Sequence, residues 1–428
     1  MTDTPTADEL GGFLREFVRM LLRSSGEGAE GVARAAGAVA RAYGGAAETV
    51  MVADGAVLHV AVGGRTSTTT VTAFPDVARL DRAVALKELA EEILAGRLPF
   101  HRAEAGLKAV AARPAPYPRW AKPVGIVLFA VGFAPAVQPT WYEVGTTAVL
   151  ASVVACLAVL AEGRRRLTQA LPLFAAVVVS LLTVWIFATD LSHGGPVMIM
   201  LPALFYFVPG DLLSAATAEL AAGYLSTGAV RLVYAVVLLL QLYVGVLLGL
   251  AVTGTPRSTM LDTVARGDMS HWVIVLSWAV FTAGMVLAFD VPRRSVGWVL
   301  ALVYLTLGVQ AAGTALAGEV AGTFVASVAL AVTADLVARG PGRPPRLVLF
   351  LGGFFTLTVG SLGLRALTSL AGGHVLHGFH DLMDFLTIVT TIAVGLMAGA
   401  ALLPAGVPRG GDAAPGPRPA TGPGTTGS

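Results

Sequence analysis

Between residues 121 and 404 the chain is a succession of apolar runs separated by short polar breaks. Backbone in a bilayer must satisfy its own hydrogen bonds, so each such run is constrained to a helix. A crossing needs about 20 apolar residues. On that measure ten spans are expected, at 121–138, 143–161, 167–189, 196–219, 229–252, 271–290, 296–312, 316–337, 346–369 and 382–404. Composition agrees: 55% of residues are hydrophobic, 13% are charged, and mean hydropathy is +0.74. An ordinary soluble domain carries about 25% charged residues. The expected fold class is therefore an α-helical polytopic membrane protein. The 29 basic and 27 acidic residues nearly balance, so nucleic acid is not an expected partner and membrane lipid is. The single cysteine, Cys156, excludes an internal disulfide, and CxxC or His/Cys metal spacings are absent. The first twenty residues lack an apolar core, and no signal peptide is expected.

Loop charge tests the span count. With the N-terminus inside, the short inner loops hold Arg164, Arg165, Arg166, Arg231, Arg293, Arg294, Arg339, Arg343 and Arg346, and the outer loops hold Arg257 and Arg266. This follows the positive-inside rule, and a missed span would scramble it. Both termini are expected in the cytosol of a protein embedded in the cytoplasmic membrane.

Residues 1–120 read as a small cytosolic α/β domain. Helical periodicity covers 8–23, 27–42 and 80–98, with another helix at 101–113. Strands are expected at 48–52, 56–62 and 68–74, the first two joined by an Asp54-Gly55 hairpin signal. Residues 405–428, rich in Pro, Gly and Thr, read as a disordered tail.

The ten spans divide into membrane halves at 121–252 and 271–404. The fourth span carries Pro209-Gly210-Asp211, and the ninth carries Val359-Gly360-Ser361 at the matching place. The fifth has Gly245-xxx-Gly249 and the tenth Gly395-xxx-Gly399, spacings that let helices approach closely. Two halves of five spans each must insert in opposite orientations. A 5+5 inverted repeat is expected, with a transport site where interrupted spans meet.

Proline removes a backbone donor, so the fourth span should break at Pro209-Gly210. Asp211 follows the break. It suits a substrate ammonium or a proton, and equally an N-cap. Ser214 and Thr217 share its face and offer hydroxyls, although small polar residues also glue membrane helices together. In the ninth span, Gly360 and Ser361 precede Arg365, whose planar fork suits a carboxylate. The alternatives for Arg365 are snorkelling or an ion pair with Asp211. His380 and Asp384 lie one turn apart beside Asp381 and suit proton relay. A metal there matches no known motif, and an outer loop and helix cap is the bland alternative for the neighbouring His374 and His377. Glu219 and Asp335 fall near inner span ends, where Arg231 and Arg339 can satisfy them. Gln241 in the fifth span is expected to make an interhelical hydrogen bond.

Phe207-Val208-Pro209-Gly210-Asp211-Leu212-Leu213, with Glu219-Leu220, Gly223, Ser226, Gly228 and Arg231-Leu232, resembles the signature of the threonine/serine exporter family. Residues 77–98 resemble the helix of that family's N-terminal region, and Thr358–Arg365 resembles its second signature. Where the family has a second Pro-Gly pair, this chain has Val359-Gly360. The resemblance implies a soluble N-terminal domain, ten membrane helices and export of threonine or serine driven by the proton-motive force. Relatives with split halves imply dicarboxylate export as an alternative. The residues alone also leave open a membrane-bound sensor and a homo-oligomer. No P-loop, nucleophile elbow or HExxH is present, so neither an enzyme nor an ATP-driven pump is indicated, and no cofactor is called for.

Overall fold

The computed structural model describes residues 4–23, 28–52, 55–72, 79–187, 193–221, 223–256, 265–357 and 375–403. The 405–428 tail lies outside them, as does Asp54.

The N-terminal domain opens on a capping box. The Thr6 backbone N–H donates to Glu9 (2.8 Å) and the Glu9 N–H donates to the Thr6 hydroxyl, starting α1 (Ala7–Arg23). Then come α2 (Ala29–Ala42), β1 (Ala46–Val52), β2 (Gly55–Val62), β3 (Arg65–Thr72), α3 (Leu80–Leu94) and α4 (Phe100–Ala112). The strands form an antiparallel meander, with Val52 opposite Gly55 and Val62 opposite Arg65. Gly63 and Gly64 both have positive φ, as a tight two-residue turn between strands requires. That Gly-Gly signal lets β3 begin at Arg65, three residues earlier than expected from its β-rich run. Leu10, Leu14 and Phe17 of α1 bury against Leu58 and Val60 of β2, and Phe13, Tyr43 and Phe100 cluster edge to face.

The membrane part contains α5 (Ala121–Val137), α6 (Trp141–Ala161), α7 (Arg165–Leu182, ending in a wide turn through Phe187), α8 (Pro196–Leu204), α9 (Gly210–Ala221) and α10 (Leu225–Thr253). The second half contains α11 (His271–Ala288), α12 (Val296–Ala317), α13 (Glu319–Ala338), α14 (Arg346–Thr356) and α15 (Val375–Leu402). Seven of the described helices are long and apolar enough to cross a membrane. Three shorter apolar helices, Ala121–Val137, Pro196–Phe207 and Arg346–Thr356, fall in the first, fourth and ninth expected spans. Large apolar side chains such as Val233, Val244, Leu248 and Val325 remain exposed, as lipid-facing positions do.

The bundle has two distinct ends. At one, the N-terminal domain rests on the connections between helices. The Leu80 N–H donates to the Phe289 carbonyl (3.1 Å), Lys87 Nζ donates to the Arg343 carbonyl (2.9 Å), and Arg294 pairs with Glu88. The Ala29 N–H at the start of α2 donates to Glu219 at the end of α9 (3.2 Å). Glu219 also pairs with Arg231 (3.4 Å), and Asp335 with Arg339 (2.6 Å), the partners expected from sequence. The arginine-rich connections thus gather at the domain end. At the far end, the segments around 138–140, 193–195 and 265–271 meet, and Trp141, Trp185 and Trp272 are exposed there, in the manner of an interfacial aromatic belt.

The two halves meet where α5 crosses α11. A Cβ on Gly132 would fall on the Phe281 backbone, and one on Gly284 would fall on the Phe129 backbone. The rings of Phe129 and Phe281 stack at 4.5 Å. Lipid offers no hydrophobic drive to pair helices, so contact this close depends on small residues. Gly284→Val should therefore lower stability by about 1–3 kcal/mol or more, the usual cost of overpacking. Gly145 has nothing within 4 Å of its Cβ position, so Gly145→Val should leave stability unchanged. Thermal unfolding of the purified variants, followed by size-exclusion chromatography, checks both.

Candidate functional site

The fourth apolar run is interrupted as its sequence demands. Pro196 occupies the first turn of α8, where its missing N–H costs nothing, and all nine α8 residues are buried. The helix tightens through Phe205–Phe207 and stops at Val208, whose backbone is extended. Pro209 cannot donate to the preceding turn, and α9 begins at Gly210. The Leu213 N–H closes the first turn on the Pro209 carbonyl (3.1 Å). The break thus sets the last carbonyls of one short helix beside the first N–H groups of the next, groups that helix ends leave without intrahelical partners.

Aromatic rings hold this break in the middle of the bundle. Phe205 stacks on Phe133 (3.8 Å) and Phe129 (5.5 Å), and meets Phe355 edge to face at 5.8 Å. Phe129, Phe205, Phe281 and Phe355 are all in mutual ring contact. A Cβ on Gly210 would lie 3.2 Å from the Phe354 ring, so the start of α9 packs against α14 with no room to spare.

Pro209 and Gly210 form the break. Asp211, Ser214 and Thr217 follow on the first turns of α9. Gly360, Ser361 and Arg365 lie outside the described residues, as does His374. His380 Nδ1 and Asp384 Oδ2 lie 3.0 Å apart on α15, as their spacing predicts. The ligand atoms of His380, Asp381 and Asp384 fall within 4.8 Å of one another, but His380 and Asp384 have well-exposed side chains. The interhelical bond expected of Gln241 is not made by its Oε1, which is buried and without a hydrogen-bond partner among the described residues. A mid-span amide carries no sequence signal for which neighbour will face it.

A second polar group went unread in the sequence. Glu143, at the start of α6, is 0% exposed. Gln138 Nε2 donates to its Oε2 (2.6 Å), and the Thr147 hydroxyl lies 3.4 Å from its Oε1. A lone carboxylate at the edge of an apolar run looks like an interfacial residue. Only the fold turns it inward.

The matched family model, ThrE, is described as "Putative threonine/serine exporter" and covers residues 17–253. That stretch holds most of the N-terminal domain and the whole first membrane half, including the break. A "Probable threonine/serine exporter" of Mycobacterium tuberculosis (strain ATCC 25618 / H37Rv) is 28% identical over 372 residues, covering 82% of this chain and 68% of the relative. No solved structure matches. With more than half of its length matched, broken helix included, this chain belongs to the ThrE threonine/serine exporter family.

Proposed function

We propose that the chain is a secondary-active exporter of threonine, serine or similar small polar amino acids, driven by the proton-motive force across the cytoplasmic membrane. The observation that carries this reading is the α8–α9 break at Pro209-Gly210, held by rings at the centre of the bundle. Discontinuous helices of this kind build substrate sites in transporters, because their exposed N–H groups favour a carboxylate. A sensor has no need of such a break.

The reading includes a 5+5 inverted repeat, and the packing supports it. Gly245 of α10 meets the Ala176 side chain and the Leu173 carbonyl, and Gly249 meets Ser180 and the Val177 carbonyl. In the other half Gly395 of α15 meets Ser327 and the Phe324 carbonyl, and Gly399 meets Ala331 and the Val328 carbonyl. The spacing is the same on both sides of both contacts. The α5–α11 crossing is likewise reciprocal: Gly132 and Phe129 of one helix face Phe281 and Gly284 of the other. Phe205, the residue just after α8, and Phe355, in the last turn of α14, bring the fourth and ninth spans into the same ring cluster.

In this reading the domain end faces the cytosol, with both termini there. Asp211 supplies a partner for the substrate ammonium, Ser214 and Thr217 supply hydroxyls, and Arg365, beside Gly360 and Ser361, supplies one for the carboxylate. His380 and Asp384 remain candidates for proton transfer.

A panel of labelled solutes in proteoliposomes tests the function. Threonine or serine should move when a proton gradient is imposed. Movement of a small dicarboxylate instead would change the substrate class, and movement of nothing under any gradient would favour a sensor. Asp211→Asn should abolish or strongly slow export while the protein still inserts. Arg365→Lys should also impair it, since the charge stays but the bidentate fork is lost. A double neutral mutant milder than either single one would mark an Asp211–Arg365 ion pair of structural purpose. Parental rates in Asp211→Asn would remove that residue from the mechanism.

Topology has its own check. Cys156 is exposed and must first be replaced. Thiols then introduced at 164–166 and at 341 should react only from the cytosolic side. Reaction from outside at either loop refutes the orientation.

A further inference from the structure

At the far end of the bundle, Glu143 and Gln138 form a buried polar pair that none of the roles above uses. Both side chains are 0% exposed, as is Thr147. Thr140 caps α6 by accepting the Glu143 N–H (3.1 Å). In a capping box the glutamate would reach back to the N–H of the capping threonine. Here that N–H donates to the Gln138 carbonyl (2.8 Å), and the carboxyl turns into the bundle to meet the Gln138 amide. Glu143 is therefore more than a helix cap.

Its surroundings, among the described residues, hold no counter-charge. Among the described residues the carboxyl has no ion pair, and its bonds come from an amide and a hydroxyl. Among the described residues, the titratable and charged groups on the segments packed around it are engaged elsewhere or exposed. The Tyr142 hydroxyl donates to the Phe187 carbonyl (2.8 Å), and its ring stacks on His193 (4.1 Å). Asp268 accepts the Trp141 N–H (3.2 Å), while Arg266 and His271 are exposed. The far-end turns of α5, α7 and α8 bring no titratable side chain. Intramembrane carboxyls without a structural ion pair mark ion or proton paths by default.

Gln138 ties this carboxyl to two other segments. Its Oε1 accepts the Ala265 N–H (2.7 Å), on the connection between the two halves. Its amide also lies against Gly194, where positive φ and the lack of a side chain permit the approach just ahead of α8. An amide has one donor end and one acceptor end. While Glu143 Oε2 accepts, both ends of Gln138 are matched. Once Oε2 carries a proton, its O–H faces an N–H donor. Turning the amide to accept from it would set Nε2 against the Ala265 N–H, donor against donor. A proton on Oε2 directed at Nε2 is thus incompatible with the Gln138–Ala265 bond, whereas a proton on Oε1 faces the Thr147 hydroxyl and leaves both Gln138 bonds in place.

We propose that Glu143 is the proton-binding residue on the far side of the membrane, held in position by Gln138, which also bonds the connection between the halves. Uptake converts the carboxylate to the neutral acid and release restores it, so no other reactant is required. This inference rests on the proton-driven export proposed above, and Gln138 is a positioning residue within it.

The test uses the full chain in proteoliposomes, with two readouts: proton-driven net flux of labelled threonine, and threonine–threonine exchange without a gradient. Glu143→Gln mimics the permanently protonated acid. It should lose the stimulation by a proton gradient and the dependence on far-side pH, while exchange continues. Wild-type response to the gradient in Glu143→Gln would overturn the proposal. Should the variant lose both activities, labelling of the wild-type chain with a hydrophobic carbodiimide, which attacks protonated carboxyls, decides. Modification at Glu143 that declines as pH rises supports proton binding there. No modification, or modification independent of pH, overturns it. A wild-type chain that moves no threonine or serine fails the transport reading by itself, and the labelling still reports on Glu143.

Discussion

Backbone contact between α5 and α11 is the constraint on which the rest of the bundle depends. Two helices in lipid gain nothing from hiding apolar surface from each other, because the lipid is as apolar as they are. What holds them is close packing, and here glycine on each helix admits the backbone of the other beside a stacked phenylalanine pair. Each stacked pair contributes about 0.5–1.5 kcal/mol beyond its buried area. The contact also fixes where the fourth and ninth spans go. Phe205 and Phe355 close over Phe129 and Phe281, so the interrupted helix is clamped from the centre outward.

Around that centre the polar groups sort to the two ends. At the domain end, charges are paired and shared between the N-terminal domain and the membrane part, as with Glu219, which takes both Arg231 and the first N–H of α2. That bond joins the N-terminal domain to the helix that starts at the break. At the far end the Glu143 carboxyl is buried among an amide and a hydroxyl, while Asp268 accepts the Trp141 N–H nearby. The domain end is thus tied together by ion pairs between segments, and the far end holds a carboxyl buried among neutral hydrogen-bonding groups.

Much of this was legible in the chain. Long apolar runs become helices in lipid because nothing else satisfies their backbone, so the spans, the α/β domain ahead of them and the break at Pro209-Gly210 follow from residue order. The glycine pairs of the fifth and tenth spans marked close contacts, and the structure finds them against α7 and α13. The ion pairs of Glu219 and Asp335 were legible for the same reason, as their arginines lie within reach in sequence.

The sequence by itself determined the helices, their breaks and the membrane environment, because those depend on local backbone chemistry and on runs of side chains. Tertiary structure decided which polar groups are hidden and what they meet. Glu143 reads as an edge residue until the fold buries it against Gln138, which Ala265 holds from another segment. Four phenylalanines scattered over four spans read as ordinary apolar residues until the helix crossings stack them together. Burial and partnership are properties of packing between distant segments, and no local pattern encodes them.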